Sequence, residues 1–446
     1  CAGYQHKDST IIGFTHTNFS GTGHADLGDF LIMPTTGNLI LDPIQTKERD
    51  KGFYSTFSHD NEEASPGYYK VDLDSYGIKA ELTASERVGF HQYTFPKSDN
   101  AHIILDLVYN VYHHDNKNVW TFIRVENDSL VTGYRQTKGW ARDKKVFFAM
   151  QFSKPFKSYG HKKYDTIKYD GFYRRFKQDE NFPEMAGKNI RAYFNFDTEE
   201  NEKINIKFAL SPVSTAGALK NLKAEIPNWD FDKTKVDTKA KWNKELSKIE
   251  VTSLNDDDKT NFYTALYHTN LSPIIYEDVD GKYRGLDQNI YTSDSFTNYT
   301  VFSLWDTFRA AHPLYAILYP ERSRDFIKTF LRMYQEGGRL PVWELASNET
   351  DCMIAYHSVS VMVDAYFKGI KGFDTKLALE AMRKSATWNH LGLPAYMDHG
   401  FLSVDDEHES VSKTLEYAYD DWCIARFAEA LNQPDVYSEY AARSNN

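Results

Sequence analysis

The hydrophobic pattern of this chain changes its period about halfway along, and that change limits the folds open to it. From the N-terminus to about residue 230, apolar and polar residues alternate, which predicts short strands. From about residue 234, apolar residues recur with a period near 3.6, which predicts helices. Turn signals such as Ser65-Pro66-Gly67 separate the alternating segments. A β domain followed by an α domain is therefore predicted.

The two patterns can be given approximate limits. The strongest strand predictions are 68–74, 78–83, 102–107 and 203–209. The predicted helices are a linking helix over about 234–249 and segments near 256–270, 304–319, 323–336, 350–368, 374–388, 409–431 and 434–444. Asn255 and Asp374 suit helix N-caps, and Gly337-Gly338 suits a left-handed helix end. These limits predict a β-sandwich over residues 1–232, a linker over 233–254 and a helical domain over 255–446, with the helices paired in a toroid.

Composition narrows the class of partner. The 446 residues suit two domains of roughly 200 residues each. The formal net charge of −11 repels nucleic-acid phosphates and anionic lipids. No run approaches the roughly 18 apolar residues of a membrane helix, so no membrane-spanning segment is predicted. The three cysteines lie far apart, so neither a disulfide framework nor a zinc site is predicted.

The segment 337–352 carries most of the polar chemistry between two helical patterns. It contains three acids, Glu344, Glu349 and Asp351, together with Arg339 and Trp343. Glycosidic bond cleavage needs a protonated carboxyl group beside the leaving oxygen and a second carboxylate nearby. An aromatic face such as that of Trp343 and charged hydrogen-bonding groups such as Arg339 and Glu344 can hold the sugar ring, so all three are predicted to contact substrate. The segment therefore suits a sugar site.

Helix capping explains the same segment equally well. Asn348 and Asp351 stand in the N-cap and N3 positions of a helix predicted from about residue 350. Acids at a helix start then interact favourably with the helix dipole. If Glu344 or Glu349 is instead a general acid, burial and a neighbouring carboxylate must raise its pKa against that dipole. Both interpretations stay open.

Three further segments are candidates for binding. In 303–309, Asp306 and Arg309 are three residues apart, so they form a helical ion pair, or Asp306 binds sugar hydroxyls while Trp305 provides an apolar wall. The acidic run 405–410 is either a solvated helix start or a source of oxygen ligands for calcium, although its spacing does not match an EF-hand. The glycine-rich segment 13–23, which contains His16, suits a substrate-facing loop better than a phosphate-binding loop.

Taken together, these segments resemble glycoside hydrolase family 92, the calcium-dependent, inverting, exo-acting α-mannosidases found largely in gut and soil bacteria. The matching segments occur in one order along nearly the whole chain: 13–16 with 20–23, 33–37, 303–309, 337–352 and 408–417. The resemblance implies an N-terminal antiparallel β-sandwich packed on an (α/α)6 barrel, with the barrel incomplete in this chain and the pocket at the junction of the two domains. It also implies a secreted, periplasmic or cell-surface bacterial protein.

The resemblance assigns roles to individual residues. Glu349 resembles the general acid and Asp306 a binder of the terminal mannose. His408 and Glu409 resemble the pair that meets the next sugar, in the form associated with α-1,2-linked mannosides of N-glycans or mannan. In this family calcium lies beneath the mannose and binds ring hydroxyls. Glu409 and Ser412 fall near the place expected for calcium.

The resemblance also implies that the chain is cut at both ends. Family members usually begin upstream of any match to Cys1 and continue past Asn446 into a segment that supplies the general-base aspartates. Cys1 is therefore expected to be an internal residue rather than a lipidated N-terminus. Because an inverting hydrolase needs its base about 6.5–9.5 Å from its acid, the chain alone is not expected to turn over substrate.

Two other functions are compatible with the same residues. A carbohydrate-binding protein would need the aromatic and charged groups but no proton donor. Another hydrolase with an (α/α) barrel, such as one acting on glucosides, would need the proton donor but no calcium.

Overall fold

The computed structural model describes residues 3–19, 24–44, 51–111, 117–163 and 183–445. The chain divides into two compact units, Cys1–His268 and Thr269–Asn446. The predicted helical domain starts at residue 255, so the observed division places the helix Asp256–Thr269 largely with the first unit. Part of the glycine-rich segment 13–23 lies outside the described residues.

The first unit is built mainly of antiparallel strands, as the alternating pattern predicts. The strands are β1 (Thr10–Ile11), β2 (Leu31–Thr36), β3 (Ser55–Thr56), β4 (Glu63–Ser65), β5 (Tyr68–Leu73), β6 (Ile78–Ala84), β7 (Val88–Phe95), β8 (Ser98–Asp106), β9 (Asn118–Asn127), β10 (Leu130–Thr137), β11 (Lys144–Phe152), β12 (Ser158–Lys163), β13 (Glu184–Gly187), β14 (Ile190–Thr198) and β15 (Glu202–Ser211). The strands predicted over 68–74, 78–83, 102–107 and 203–209 are confirmed as β5, β6, the end of β8 and β15.

Two sheets carry the core of this unit. Within the described ranges, the larger sheet has the strand order β13-β9-β10-β11-β15-β7-β6-β5-β4, and the smaller has the order β12-β14-β8-β2. Phe152 on β11 and Phe194 on β14 bring ring centroids from the two sheets within 5.0 Å. The alternating pattern places apolar residues such as these on one face of each strand. The apolar faces of the two sheets share one buried cluster.

Three helices complete the first unit: α1 (Thr215–Glu225), α2 (Phe231–Leu246) and α3 (Asp256–Thr269). Helix α1 was not predicted, because the strand pattern was extended to about residue 230. Its residues Ala218 and Leu222 pack on Ala149 and Ala209 of the larger sheet. The linking helix was predicted over 234–249 but begins at Phe231, where Asp230 caps it by accepting a 2.9 Å hydrogen bond from the Lys233 amide.

The second unit is mainly helical. Its short strands are β16 (Ile274–Ile275), β17 (Lys282–Arg284), β18 (Ile290–Thr292), β19 (Tyr299–Thr300), β20 (Phe302–Ser303) and β21 (Trp343–Glu344). Its helices are α4 (Leu304–Thr307), α5 (Ala311–Leu318), α6 (Pro320–Gly337), α7 (Ser358–Phe367), α8 (Thr375–Ala386), α9 (Leu393–His399), α10 (Ser410–Ala430) and α11 (Pro434–Arg443). Helix α10 packs against α7, α8 and α11, and α6 packs against α5, α7 and α8. The observed order, antiparallel β domain then helical domain, confirms the predicted class.

Several predicted helix ends are confirmed by their caps. Asn255 accepts a hydrogen bond from the Asp257 amide, and Asp374 accepts from two amides at the start of α8. Helix α6 ends at Gly337, and Gly338 adopts a left-handed conformation with φ 82°. A glycine tolerates this conformation without steric penalty.

Two predicted helices are interrupted. The segment predicted over 304–319 divides into α4 and α5, because Pro313 cannot donate to the carbonyl of Arg309 and its ring would collide with that carbonyl. The helix predicted from residue 350 begins only at Ser358. Asp351 and Met353 have φ values of 55° and 71°, which no α-helix contains.

Helix α9 was missed because it is only seven residues long. Its signal is nevertheless present, since Pro394 lies in its first turn and Gly400 ends it with φ 79°. Among the residues that the structure describes, no helix is long and apolar enough to cross a membrane.

Candidate active site

A tight turn presents Glu349 in the helical domain. Leu345 and Asn348 exchange backbone hydrogen bonds of 2.8 and 3.0 Å, and the residues between them, Ala346 and Ser347, have φ values of 47° and 63°. Positive φ at both central positions is the geometry of a type I′ hairpin turn. The predicted capping role of Asn348 is therefore wrong. Its side-chain amide donates to the Ala346 carbonyl within the turn, and no helix starts there.

Glu349 is held by backbone amides. One carboxylate oxygen accepts from the Val342 amide at 2.7 Å, and the other accepts from the amides of Trp343 at 3.0 Å and Asp351 at 2.9 Å. Burial of the carboxyl group raises its pKa, while these amides and the positive charge of Arg339 lower it, and the net pKa is raised. Burial therefore has the larger effect, which favours the protonated form that a general acid requires.

Glu344 lies on β21 and faces the interior. Its side chain accepts from the Ser347 amide at 2.7 Å and the Val301 amide at 3.2 Å, and the Thr300 hydroxyl lies 2.9 Å from both carboxylate oxygens. Burial is the largest cause that raises its pKa to about 8; the nearby Glu349 adds to the rise, and the hydrogen bonds from Ser347, Thr300 and Val301 oppose it. Glu344 is only 1% exposed. This differs from the prediction that it contacts substrate, because the protein itself occupies its acceptor atoms.

Trp343 and Arg339 are also engaged within the fold. Trp343 is 3% exposed, which differs from the prediction that its ring faces a sugar. Pairing of β20 with β21 places this strand inside the domain, and both of its side chains are buried. Arg339 forms an ion pair with Asp351, whose amide donates to Glu349, and His390 approaches the other oxygen of Asp351 at 3.4 Å. Arg339 thus helps to set the position of an amide that holds Glu349.

Asp306 and Trp305 on α4 remain open to solvent. Trp305 is 37% exposed, and Asp306 accepts a short hydrogen bond from the Ser303 hydroxyl. The alternative ion pair of Asp306 with Arg309 is not formed, because Arg309 pairs with Glu416 at 2.8 Å. Asp306 therefore keeps an exposed carboxylate, which suits the predicted role in binding hydroxyl groups.

Cys352 connects α4 with the Glu349 turn. Burial raises the pKa of its thiol, and the negative charges of Asp306 and Glu349 raise it further. Both carboxylates are thus within electrostatic range of one half-buried thiol. The structure thus places Asp306 and Glu349, which are 43 positions apart in the sequence, within the electrostatic surroundings of the same thiol. Cys352 was not predicted as a site residue, and its position three residues after Glu349 is the signal that could have identified it.

His408 and Glu409 lie at the exposed start of α10. Glu409 is in a left-handed conformation with φ 51°, its side chain is 63% exposed, and Lys413 lies 3.5 Å from its carboxylate. Lys413 also pairs with Glu407 at 3.1 Å. Ser412 is exposed on the same turn. In the part of the chain that the structure describes, no three His, Cys, Asp or Glu side chains form a group that could hold a metal ion.

His16 belongs to the β domain, where both ring nitrogens contact protein. Nδ1 lies 2.6 Å from the Phe30 carbonyl oxygen, and Nε2 lies 2.9 Å from Nε2 of His91. Burial lowers the pKa of His16 to about 4, so the ring is neutral near pH 7. The ring also stacks on Phe208 with a centroid distance of 3.9 Å. Because both ring nitrogens contact protein atoms, neither is free for the substrate binding predicted for His16.

Comparison with known proteins agrees with this arrangement. The sequence model of the glycosyl hydrolase family 92 N-terminal domain matches residues 1–211, and that of the family 92 catalytic domain matches residues 217–446. An uncharacterized secreted glycosidase of Arthroderma benhamiae is 24% identical over 483 residues, covering 100% of this chain and 56% of the fungal protein.

Solved structures show the same likeness. A family 92 alpha-mannosidase of Bacteroides thetaiotaomicron in complex with mannoimidazole is 42% identical, with a TM-score of 0.92 over 99% of this chain and 57% of its own. A family 92 inverting mannosidase of the same organism is 31% identical, with a TM-score of 0.84 over 99% of this chain and 58% of its own. The chain thus spans 56–58% of the length of these relatives. Since the two family models together match nearly every residue, the chain belongs to glycosyl hydrolase family 92.

Proposed function

We propose that the full-length protein is an exo-acting α-mannosidase that removes terminal α-mannosides, with Glu349 as the general acid of an inverting, single-displacement reaction. The observation that carries this proposal is the partly buried Glu349 carboxyl group, which is held by three backbone amides, has a raised pKa and lies, like the exposed Asp306, within electrostatic range of Cys352. Family membership supports the reaction class, and the printed names of the two Bacteroides relatives describe mannosidases. The name of the fungal relative also supports export from the cell.

The surroundings of Glu349 suit both states of a proton donor. Before bond cleavage, burial favours the protonated carboxyl group. After the proton passes to the leaving oxygen, three backbone amides at 2.7–3.0 Å are ready to stabilise the carboxylate. A buried acid without those amides would hold its proton too tightly to give it up. An inverting enzyme also needs a general base about 6.5–9.5 Å from this acid.

Sugar recognition is assigned to the exposed groups around this acid. Asp306 offers carboxylate oxygens to hydroxyls of the terminal mannose, and Trp305 offers an apolar ring beside it. His408 and Glu409, at the start of α10, are proposed to contact the next sugar of an α-1,2-linked mannoside of N-glycans or mannan. Their exposure leaves them available to such a ligand.

Calcium is proposed as the cofactor, with Glu409 and Ser412 among its ligands. Carboxylate and hydroxyl oxygens are the hard donors that calcium prefers, and both side chains are exposed on one turn of α10. They fit a calcium site as part of a set, since this cation takes six to eight oxygen ligands. Bound calcium would bind ring hydroxyls and help to distort the sugar. Lys413, 3.5 Å from Glu409, would have to release that carboxylate.

The reaction is tested on disaccharides with the full-length protein. We expect release of mannose from α-1,2-mannobiose and no release of glucose from kojibiose or maltose. Proton NMR during the first turnovers should show β-mannose before mutarotation, as inversion of an α-linkage requires. Binding of mannobiose without cleavage would support a carbohydrate-binding protein instead, and cleavage of the glucosides would support a different hydrolase.

Removal of calcium provides a second test. Treatment of the full-length protein with EDTA is expected to lower the rate on α-1,2-mannobiose to below about a tenth, and added Ca²⁺ is expected to restore it, whereas Mg²⁺ should not, because Mg²⁺ demands a tighter octahedral geometry. The matched control is EDTA already saturated with Ca²⁺. Unchanged activity after complete chelation, with residual metal measured by atomic emission, would contradict the assignment of calcium.

A further inference from the structure

A buried histidine that the proposed reaction does not use lies behind the sugar-binding segment. His357 is 1% exposed and precedes α7. Its Nδ1 lies 3.1 Å from Asp420, and its Nε2 lies 3.0 Å from Glu416. The Nδ1 contact has hydrogen-bond geometry, whereas Nε2 faces Glu416 outside that geometry. One imidazole ring therefore bridges two carboxylates from successive turns of α10.

The same ring contacts the segment that carries Asp306. The rings of His357 and Phe308 stack with a centroid distance of 3.6 Å and an interplanar angle of 13°. Glu416, whose second oxygen faces His357, uses its first oxygen to bind Arg309 at 2.8 Å. Phe308 and Arg309 lie two and three residues after Asp306 in the chain. His357 and its partner Glu416 thus hold two residues within one helical turn of the predicted sugar ligand.

Helix α4 needs such external support. It is four residues long, and its N-cap Ser303 makes no side-chain capping hydrogen bond. A single turn is unstable by itself, because nucleation orders several residues for one backbone hydrogen bond. Thr307 is bonded to the Ser303 carbonyl at 3.0 Å, which closes the turn but does not orient it against α7 or α10. Pairing of β20 with β21 and the buried Leu304 fix the start of α4, and the contacts of Phe308 and Arg309 fix its end, so Asp306 and Trp305 are oriented from both sides.

We propose that His357 is a positioning residue for sugar recognition, which acts through Phe308 and the Glu416–Arg309 pair to orient Asp306 and Trp305. This inference rests on the proposed function, since it assumes that Asp306 binds the terminal mannose. His357 does not touch the substrate. Its loss should weaken sugar binding while leaving proton transfer from Glu349 in place. KM should therefore change more than kcat, the opposite of the change expected at the acid.

Substitution of His357 by asparagine or by glutamine separates its contact with Asp420 from its contact with Glu416. The amide nitrogen of glutamine reaches about as far as Nε2, and that of asparagine about as far as Nδ1. In the full-length protein, His357→Asn is expected to raise KM for α-1,2-mannobiose by about tenfold with kcat within about threefold. His357→Gln keeps a donor toward Glu416 and should recover part of the loss. Arg309→Met, a change at an exposed side chain, removes the ion pair with Glu416 and the cation–π contact with the Phe308 ring, and it should raise KM in the same direction.

His312 supplies the matched control. It is another buried histidine of the helical domain, and its ring packs edge-on against Tyr315 and Phe326. His312→Gln should lower the thermal midpoint as much as His357→Gln does, with an unchanged KM. Equal KM values in wild type, His357→Asn and Arg309→Met would overturn the inference, as would a loss confined to kcat. If His357→Asn fails to fold, the KM of His357→Gln, compared with that of His312→Gln and Arg309→Met, decides the question.

The failure of this inference can be told apart from failure of the proposed function. Calorimetric titration with mannose measures sugar binding whether or not cleavage occurs. A wild-type protein that cleaves no mannoside contradicts the proposed function. Unchanged mannose affinity in His357→Asn and Arg309→Met overturns the inference even when the wild type is active.

Discussion

Replacement of Glu349 by glutamine is expected to lower kcat/KM on α-1,2-mannobiose by about two to four orders of magnitude in the full-length protein. Glutamine keeps the size of the side chain but has no proton to give to the leaving oxygen. The measurement that isolates proton donation compares mannobiose with dinitrophenyl α-mannoside, whose leaving group needs no proton. The loss on the dinitrophenyl substrate should be much smaller.

Glutamine also disturbs the turn, and a control must separate that effect. Both oxygens of Glu349 accept backbone amides, so the amide nitrogen of glutamine must face a donor, which costs about 1–3 kcal/mol of stability. Glu336 is the matched control, because it is another partly buried acid of this domain with a raised pKa and accepts from the Tyr283 hydroxyl and the Leu286 amide. Glu336→Gln should be destabilised with full activity. Equal losses on both mannosides in Glu349→Gln would contradict its role as the acid.

Replacement of Glu344 by glutamine is expected to destabilise the protein at low pH and to leave it equally stable or more stable at high pH. The pKa of Glu344 rises from its ordinary value of 4.5 to about 8 in the folded protein, chiefly through burial. The folded state therefore binds this proton more tightly than the unfolded state. The stabilisation is fully present below pH 4.5 and is lost as the pH rises through 8, by on the order of 3–5 kcal/mol.

Glutamine cannot ionise, so the Glu344→Gln variant does not lose this stability as the pH rises. At pH 5 the variant should be less stable than wild type, because its amide nitrogen faces the amide of Ser347 or Val301 and one acceptor is lost. At pH 9 the wild type must bury a charge, and the variant should be equally stable or more stable. Thermal midpoints of the full-length proteins from pH 5 to 9 give this comparison. Asp421, with a raised pKa of about 7, contributes to both proteins and cancels in the difference. Parallel curves would show that Glu344 is ionised throughout.

The class of each domain was readable because it depends on local pattern. Alternation predicted strands such as Ile78–Ala84, since successive side chains of a strand point to opposite faces. Gly338 and Asp374 predicted helix ends because their conformational freedom and side-chain oxygen act within one turn. The local pattern could not show that α7 begins at Ser358 rather than near residue 350. Residues 350–357 have a helical pattern, but the amide of Asp351 is used to bind Glu349.

The acids of the site were visible in the sequence, but their roles were not. Sequence alone placed Glu344 and Glu349 in one short segment and left capping and catalysis as alternatives. Tertiary structure separated them by surrounding Glu344 with Thr300 and Val301, more than 40 positions away, while Glu349 is partly exposed and, like Asp306, lies within electrostatic range of Cys352. The physical reason is that a carboxyl pKa depends on burial, amide donors and neighbouring charges, and residues distant in the chain supply many of these. Sequence by itself determined a β domain followed by a helical domain with acids between two helices, and only the folded chain decided which of these acids is fully buried and which stays partly exposed.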